Sequence, residues 1–139
     1  MVLGNDSLVY VCDRQGNRLE VFDRKGTLKR MIYVVPPGTS ASGDVKVERS
    51  VSDVAFSRDA QQKYLYVAYY GCGCPSPEGG RVYILERESG AIVGTFGEPG
   101  PGGGQFLSAH SIAVDSKSNV YIGESPMGQR TQRFIKVSD

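Results

Sequence analysis

The chain has no tryptophan, a single histidine, three cysteines and almost no surplus of either charge. Sixteen Lys and Arg balance fifteen Asp and Glu to a formal net charge of +1, which gives no electrostatic case for nucleic acid or for an anionic membrane. No apolar run approaches the roughly 18 residues that a membrane-spanning helix needs. The opening residues MVLGNDSLVY carry neither a basic stretch nor an apolar core, so no signal peptide is expected. Three cysteines cannot all pair within one chain, and no disulfide framework is implied. There is no serine elbow and no phosphate-binding loop, because Gly102-Gly103-Gly104 follows a proline and precedes no predicted helix. A 3.6-residue apolar period bounded by caps is missing from every window of about 11 residues, which argues against helices. Glycine, by contrast, is plentiful at 18 of 139 residues, nearly twice the usual share of about 7%. With 40% hydrophobic residues the chain is too apolar for disorder, so many short strands and many turns are expected.

A repeat organises those strands. Leu8-Val9-Tyr10-Val11-Cys12-Asp13, Leu65-Tyr66-Val67-Ala68-Tyr69 and Val120-Tyr121-Ile122-Gly123-Glu124 share one register, with their tyrosines 56 and 55 residues apart. Each is followed by a turn, an arginine (Arg18, Arg81, Arg130) and a second strand: Leu19 to Phe22, Val82 to Leu85 and Thr131 to Phe134. Val54 to Phe56 and Ile112 to Val114 supply inner strands ahead of the second and third tyrosines, and Met1-Val2-Leu3 falls at the end of a first one. Thr27 to Val34 and Ala91 to Phe96 follow as outer strands, and Asp139 falls where a last outer strand would begin. A four-stranded antiparallel meander recurring near every 50 residues predicts an all-β propeller with about three blades: residues 1–37, 48–98 and 107–139. Val35 to Gly43 and Gly97 to Gln105 read as loops between blades.

The phrases LVYVCDRQGNRLEVFDRKGTLKR, DVAFSRDAQQKYLYVAYY and GGGQFLSAHSIAVDSKSNVYIGES resemble NHL repeats, and the likeness covers nearly the whole chain. The NHL resemblance implies a six-bladed ring, of which three blades are half. A pair of chains closing the ring, or further blades in a longer chain, are the two completions expected. Likeness to bacterial, usually exported, NHL proteins of unassigned function implies a periplasmic or secreted full-length protein. The Gly-Gln-Phe…His-Ser…Ala block of the third blade also resembles the propeller of peptidyl-hydroxyglycine amidating lyase. The second blade departs from the pattern, with Tyr69-Tyr70 where an acidic residue is usual and then the insertion GCGCPSPEGG.

In such a meander the start of the first strand, the end of the second and the start of the third share one edge. That edge is expected to gather Ser52, His110, Asp13, Tyr69, Tyr70, Glu124, Cys72 and Cys74 as a loop-rich mouth for a ligand or a protein. Asp13 and Glu124 are expected to cap turns or meet neighbouring arginines rather than serve as acid and base. Arg18, Arg81 and Arg130 recur once per blade, which argues for a structural role bonding carbonyls or carboxylates. Cys12 aligns with Ala68 and Gly123 and is expected in the core. Cys72-Gly-Cys74 reads either as a soft-metal chelate or as two free loop thiols. The lyase resemblance implies His110 as a zinc ligand, against the plainer reading of a polar or structural histidine; a catalytic zinc needs about three protein ligands. Zinc and calcium both stay open as cofactors. The leading expectation is a non-catalytic binding scaffold, with a metal-dependent lyase and a truncated fragment without activity of its own as alternatives.

Overall fold

The computed structural model describes residues 1–34, 49–71 and 80–137. They form only strands, turns and irregular segments, in three successive antiparallel sheets. Strands β1 (Val2–Leu3), β2 (Val9–Asp13), β3 (Arg18–Phe22) and β4 (Leu28–Tyr33) make the first sheet in chain order. The second holds β5 (Arg49–Phe56), β6 (Tyr64–Gly71), β7 (Arg81–Glu86) and β8 (Ile92–Phe96). A two-residue parallel pair, β9 (Glu98–Pro99) with β10 (Gln105–Phe106), leads into the third sheet of β11 (Ala109–Val114), β12 (Val120–Glu124) and β13 (Thr131–Phe134). The segment Gly97 to Gln105, expected as a plain loop, therefore carries its own short ladder. The first inter-blade loop from Val35, the Cys-bearing insertion and Asp139 lie outside the described residues.

The strands form where alternation places apolar side chains on a buried face, and the turns fall where the backbone turns left-handed. Positive φ recurs at Asn17 (50°), Gly80 (63°) and Gln129 (48°), each one residue before the recurring arginine. It recurs again at Ser7 (64°), Gln62 (49°) and Ser118 (64°), between the first and second strands of each sheet. Gly80 is required sterically as well, since a Cβ there would lie 2.5 Å from the Phe106 carbonyl oxygen.

Two cores stack the sheets in order. One joins the first sheet to the second through Tyr10, Leu19, Val21, Ile32, Val54, Phe56, Leu65, Val67 and Tyr83. The other joins the second to the third through Ala55, Ala68, Val82, Phe106, Ile112, Val120 and Ile122. The second sheet is thus packed on both faces, while among the described residues the first and third are each packed on one. The closest approaches are β2 to β5 and β11 to β5 and β6, so the sheets crowd at their early strands and spread apart at their later ones. Aromatic rings fill the widening gap: Tyr10 stands edge-on to Phe56 at 5.0 Å, and Phe96 lies 4.8 Å from Phe134.

Candidate functional site

The site lies on the edge where the first strand of each sheet begins. In β5 the register slips between Val51 and Asp53, and in β11 between Ala109 and Ser111. Ser52 and His110 are the extra residues of these two bulges, at equivalent positions of consecutive sheets. A bulge re-aims the side chain it carries. Ser52 Oγ lies 3.0 Å from the carbonyl oxygens of both Ala68 and Ala109, so its one proton is shared across the second and third sheets. Beside it, Asp53 accepts from the Ile112 amide at 3.1 Å and adds a second tie between the same sheets.

His110 instead is exposed, at the mouth of a cleft of about 530 Å³ whose wall includes Ser111, Glu124, Gln129 and Arg130. Its ring stands perpendicular to that of Tyr70, with centroids 6.2 Å apart. Arg14, in the turn after β2, holds its guanidinium 4.7 Å from the Tyr70 centroid, within cation–π range. Arg14, Tyr70 and His110 come from the first, second and third sheets and form one row along the edge.

The neighbouring candidates serve the scaffold. Tyr69 is only 2% exposed, its ring edge-on to Tyr83 at 5.2 Å and its hydroxyl accepting from Asn17 Nδ2 at 2.8 Å. Asp13 caps its turn by accepting from the Gly16 amide at 3.0 Å, and pairs with Arg18 at 2.8 Å. Glu124 has no exposed side-chain surface. One carboxylate oxygen accepts from the amides of Leu107 and Ser108 at 2.7 and 3.2 Å, the other from Arg130 Nε at 2.5 Å and Gln132 Nε2 at 3.2 Å. Burial pushes the Glu124 carboxyl up, but the Arg130 guanidinium and the two amides outweigh it and hold it below the ordinary value. Such a group is a fixed acceptor rather than a proton donor near neutral pH. Arg130 also donates to the carbonyls of Pro101 and Gln105, and Arg81 to that of Gly97 at 3.1 Å, so both fasten the connection into the third sheet.

Cys12 is half-buried against the first core, and burial, with a smaller contribution from Asp53, pushes its thiol up to about 12. It is therefore a packing group, not a nucleophile. Cys72 and Cys74 lie outside the described residues. Among the described residues no three His, Cys, Asp or Glu side chains converge as metal ligands, so those residues do not fit a catalytic zinc around His110. Sequence reasoning placed Ser52, Tyr70 and His110 on this edge by register but missed Arg14. The available signal was the register itself, since Arg14 follows Tyr10 by four residues as Tyr70 follows Tyr66. No protein-family model matches the chain, and no curated protein matches it by sequence.

Proposed function

We propose that the chain is a section of an NHL-type β-propeller that binds a ligand or protein along its first-strand edge rather than catalysing a reaction. The stacking of like sheets that crowd at their early strands supports the propeller reading, since blades radiate from an axis lined by their first strands. The observation that carries the binding role is the row Arg14–Tyr70–His110. Three sheets contribute one side chain each, Arg14 and His110 exposed and Tyr70 half-buried between strands, and a cation, an aromatic ring and an imidazole together make a surface suited to side-chain recognition. Around the row, Ser52, Tyr69, Asp13 and Glu124 spend their polar atoms on the scaffold. The row is therefore held on a rigid frame, and rigid placement lowers the ordering cost of binding.

Selection of random peptides displayed on phage against the immobilised protein tests this reading. Sequences enriched on the wild type are expected to be lost on Tyr70→Ala, which removes the middle of the row. Equal recovery on Tyr70→Ala and wild type would contradict it.

A further inference from the structure

A cleft of about 680 Å³ opens between the first and second sheets, on the edge opposite the binding row. Both walls are four-stranded sheets of this chain. The floor is apolar, with Tyr10 and Val21 buried in it and Leu8 half-buried. Arg87, just past β7, reaches across to the first sheet, where it pairs with Asp6 and donates from Nε to the Tyr10 hydroxyl at 3.1 Å. Asp6 also accepts from the Leu8 amide and from the Tyr10 hydroxyl, each at 3.0 Å, so its carboxylate is fully engaged within the fold.

β4 gives the cleft two further cations. Between β3 and β4 the register slips after Val21, which leaves Lys29 as an extra residue between Leu28 and Arg30. Consecutive side chains of an unbroken strand face opposite ways, but a bulge re-aims one of them, and here Lys29 and Arg30 both line the cleft. The second sheet is the internal comparison. It slips at the equivalent place, between Ile84 and Leu85, and strand pairing matches its row Tyr66–Ile84–Gly94 to the row Tyr10–Val21–Arg30. Val93 and Gly94 therefore stand where the first sheet has Lys29 and Arg30. A sheet of the same build forms without a cation at either position, so the architecture does not demand these two charges.

Several charges around the cleft already have partners. Arg87 is matched by Asp6, and Lys29 pairs with Asp23 at 3.0 Å. Glu86 alternates with Leu85 and Arg87, so its side chain turns to the other face of the sheet, and it accepts from Ser89 Oγ at 2.7 Å. Arg30, by contrast, donates only to carbonyls, that of Arg87 at 2.6 Å and that of Glu88, so no carboxylate offsets its charge. Lys63, in the turn before β6 on the facing wall, also has no ion pair among the described residues. Against these two cations the lining sets one unpaired carboxylate, that of Glu88 in the exposed turn after β7. An apolar floor between cations of two walls is complementary to a molecule with a hydrocarbon body and one negative end.

We propose that this cleft binds a small apolar carboxylate, its hydrocarbon on Leu8, Tyr10 and Val21 and its charge between Arg30 and Lys63. The proposal uses the cleft alone and stands whether or not the Arg14–Tyr70–His110 row binds a ligand. Titration of the full chain with sodium octanoate, followed by amide nitrogen–proton correlation spectra, tests it. Saturable shifts are expected at Leu8, Val21, Arg30 and Lys63, with a dissociation constant at or below about 1 mM. 1-Octanol has the same hydrocarbon with a hydroxyl in place of the carboxylate, and is expected to bind the wild type at least about tenfold more weakly. Arg30→Gln keeps an amide donor for the carbonyls and removes the charge; it should weaken octanoate binding by at least about tenfold while the spectrum stays dispersed. Lys25→Gln, an exposed charge outside the cleft, should leave binding unchanged. Shifts that do not saturate or that fall elsewhere, octanol bound as tightly as octanoate, or a folded Arg30→Gln protein that binds octanoate as the wild type does would overturn the proposal.

Discussion

Glu124 illustrates how a single side chain holds a connection in place. A carboxylate with no exposed surface and four donors would be costly to bury alone, and the geometry satisfies both oxygens. Its folded pKa lies below the ordinary 4.5, as that of Asp6 lies below 3.8, in each case because donors outweigh the upward push of burial. Groups depressed in the folded state contribute stability that is complete above their unfolded pKa and is lost as pH falls through the folded value. Melting temperature should accordingly fall as the pH drops from about 5 toward 3. Glu124→Gln should cost about 2 kcal/mol at pH 7, by leaving Arg130 and the buried amides with a poorer acceptor, and should flatten that acid dependence. Melting curves of both proteins between pH 7 and pH 3 check this; parallel curves would contradict it. At this scale the sequence was only partly readable. Consecutive strand residues face opposite ways, so of Tyr69 and Tyr70 one enters the core and the other the edge, and the pair of letters does not say which. Arg14 shares the register position of Tyr70, but β2 ends at Asp13 whereas β6 runs on to Gly71, so the alternation that marks the strand does not reach it.

Among the elements, β12 and β13 have the bounds that alternation predicts, because both run without a bulge beside clear turns. β5 and β11 begin earlier than expected, at Arg49 and Ala109 instead of Val54 and Ile112. The physical reason is the bulge: an extra residue at Ser52 or His110 breaks the two-residue period, so the apolar pattern stops short of the strand. The β9–β10 pair was unreadable for another reason, since two residues are too few to show a period. The turns before β7 and β13 yield a paired prediction. Gly80→Ala puts a Cβ against the Phe106 carbonyl at positive φ and should cost about 2 kcal/mol. Gln129→Gly, at the equivalent turn, relieves a left-handed residue and should change stability by less than about 0.5 kcal/mol. Urea midpoints of the two variants measure the contrast, and equal losses would contradict it.

For the whole molecule, length alone first suggests an ordinary single domain, whereas the repeat divides it into three like sheets. Stacking in chain order is what turns local repetition into architecture: it buries the second sheet twice, lines up Arg14, Tyr70 and His110 on one edge, and sets Arg87 against Asp6 on the other. Every functional inference depends on that order. Proton nuclear Overhauser spectra of the aromatic rings test it most directly. The account predicts cross-peaks between Tyr10 and Phe56, whose centroids lie 5.0 Å apart, and between Phe96 and Phe134 at 4.8 Å, with none between Tyr10 and Phe134. Missing contacts at either interface, or a Tyr10–Phe134 contact, would contradict the stacking of the first sheet on the second and the second on the third.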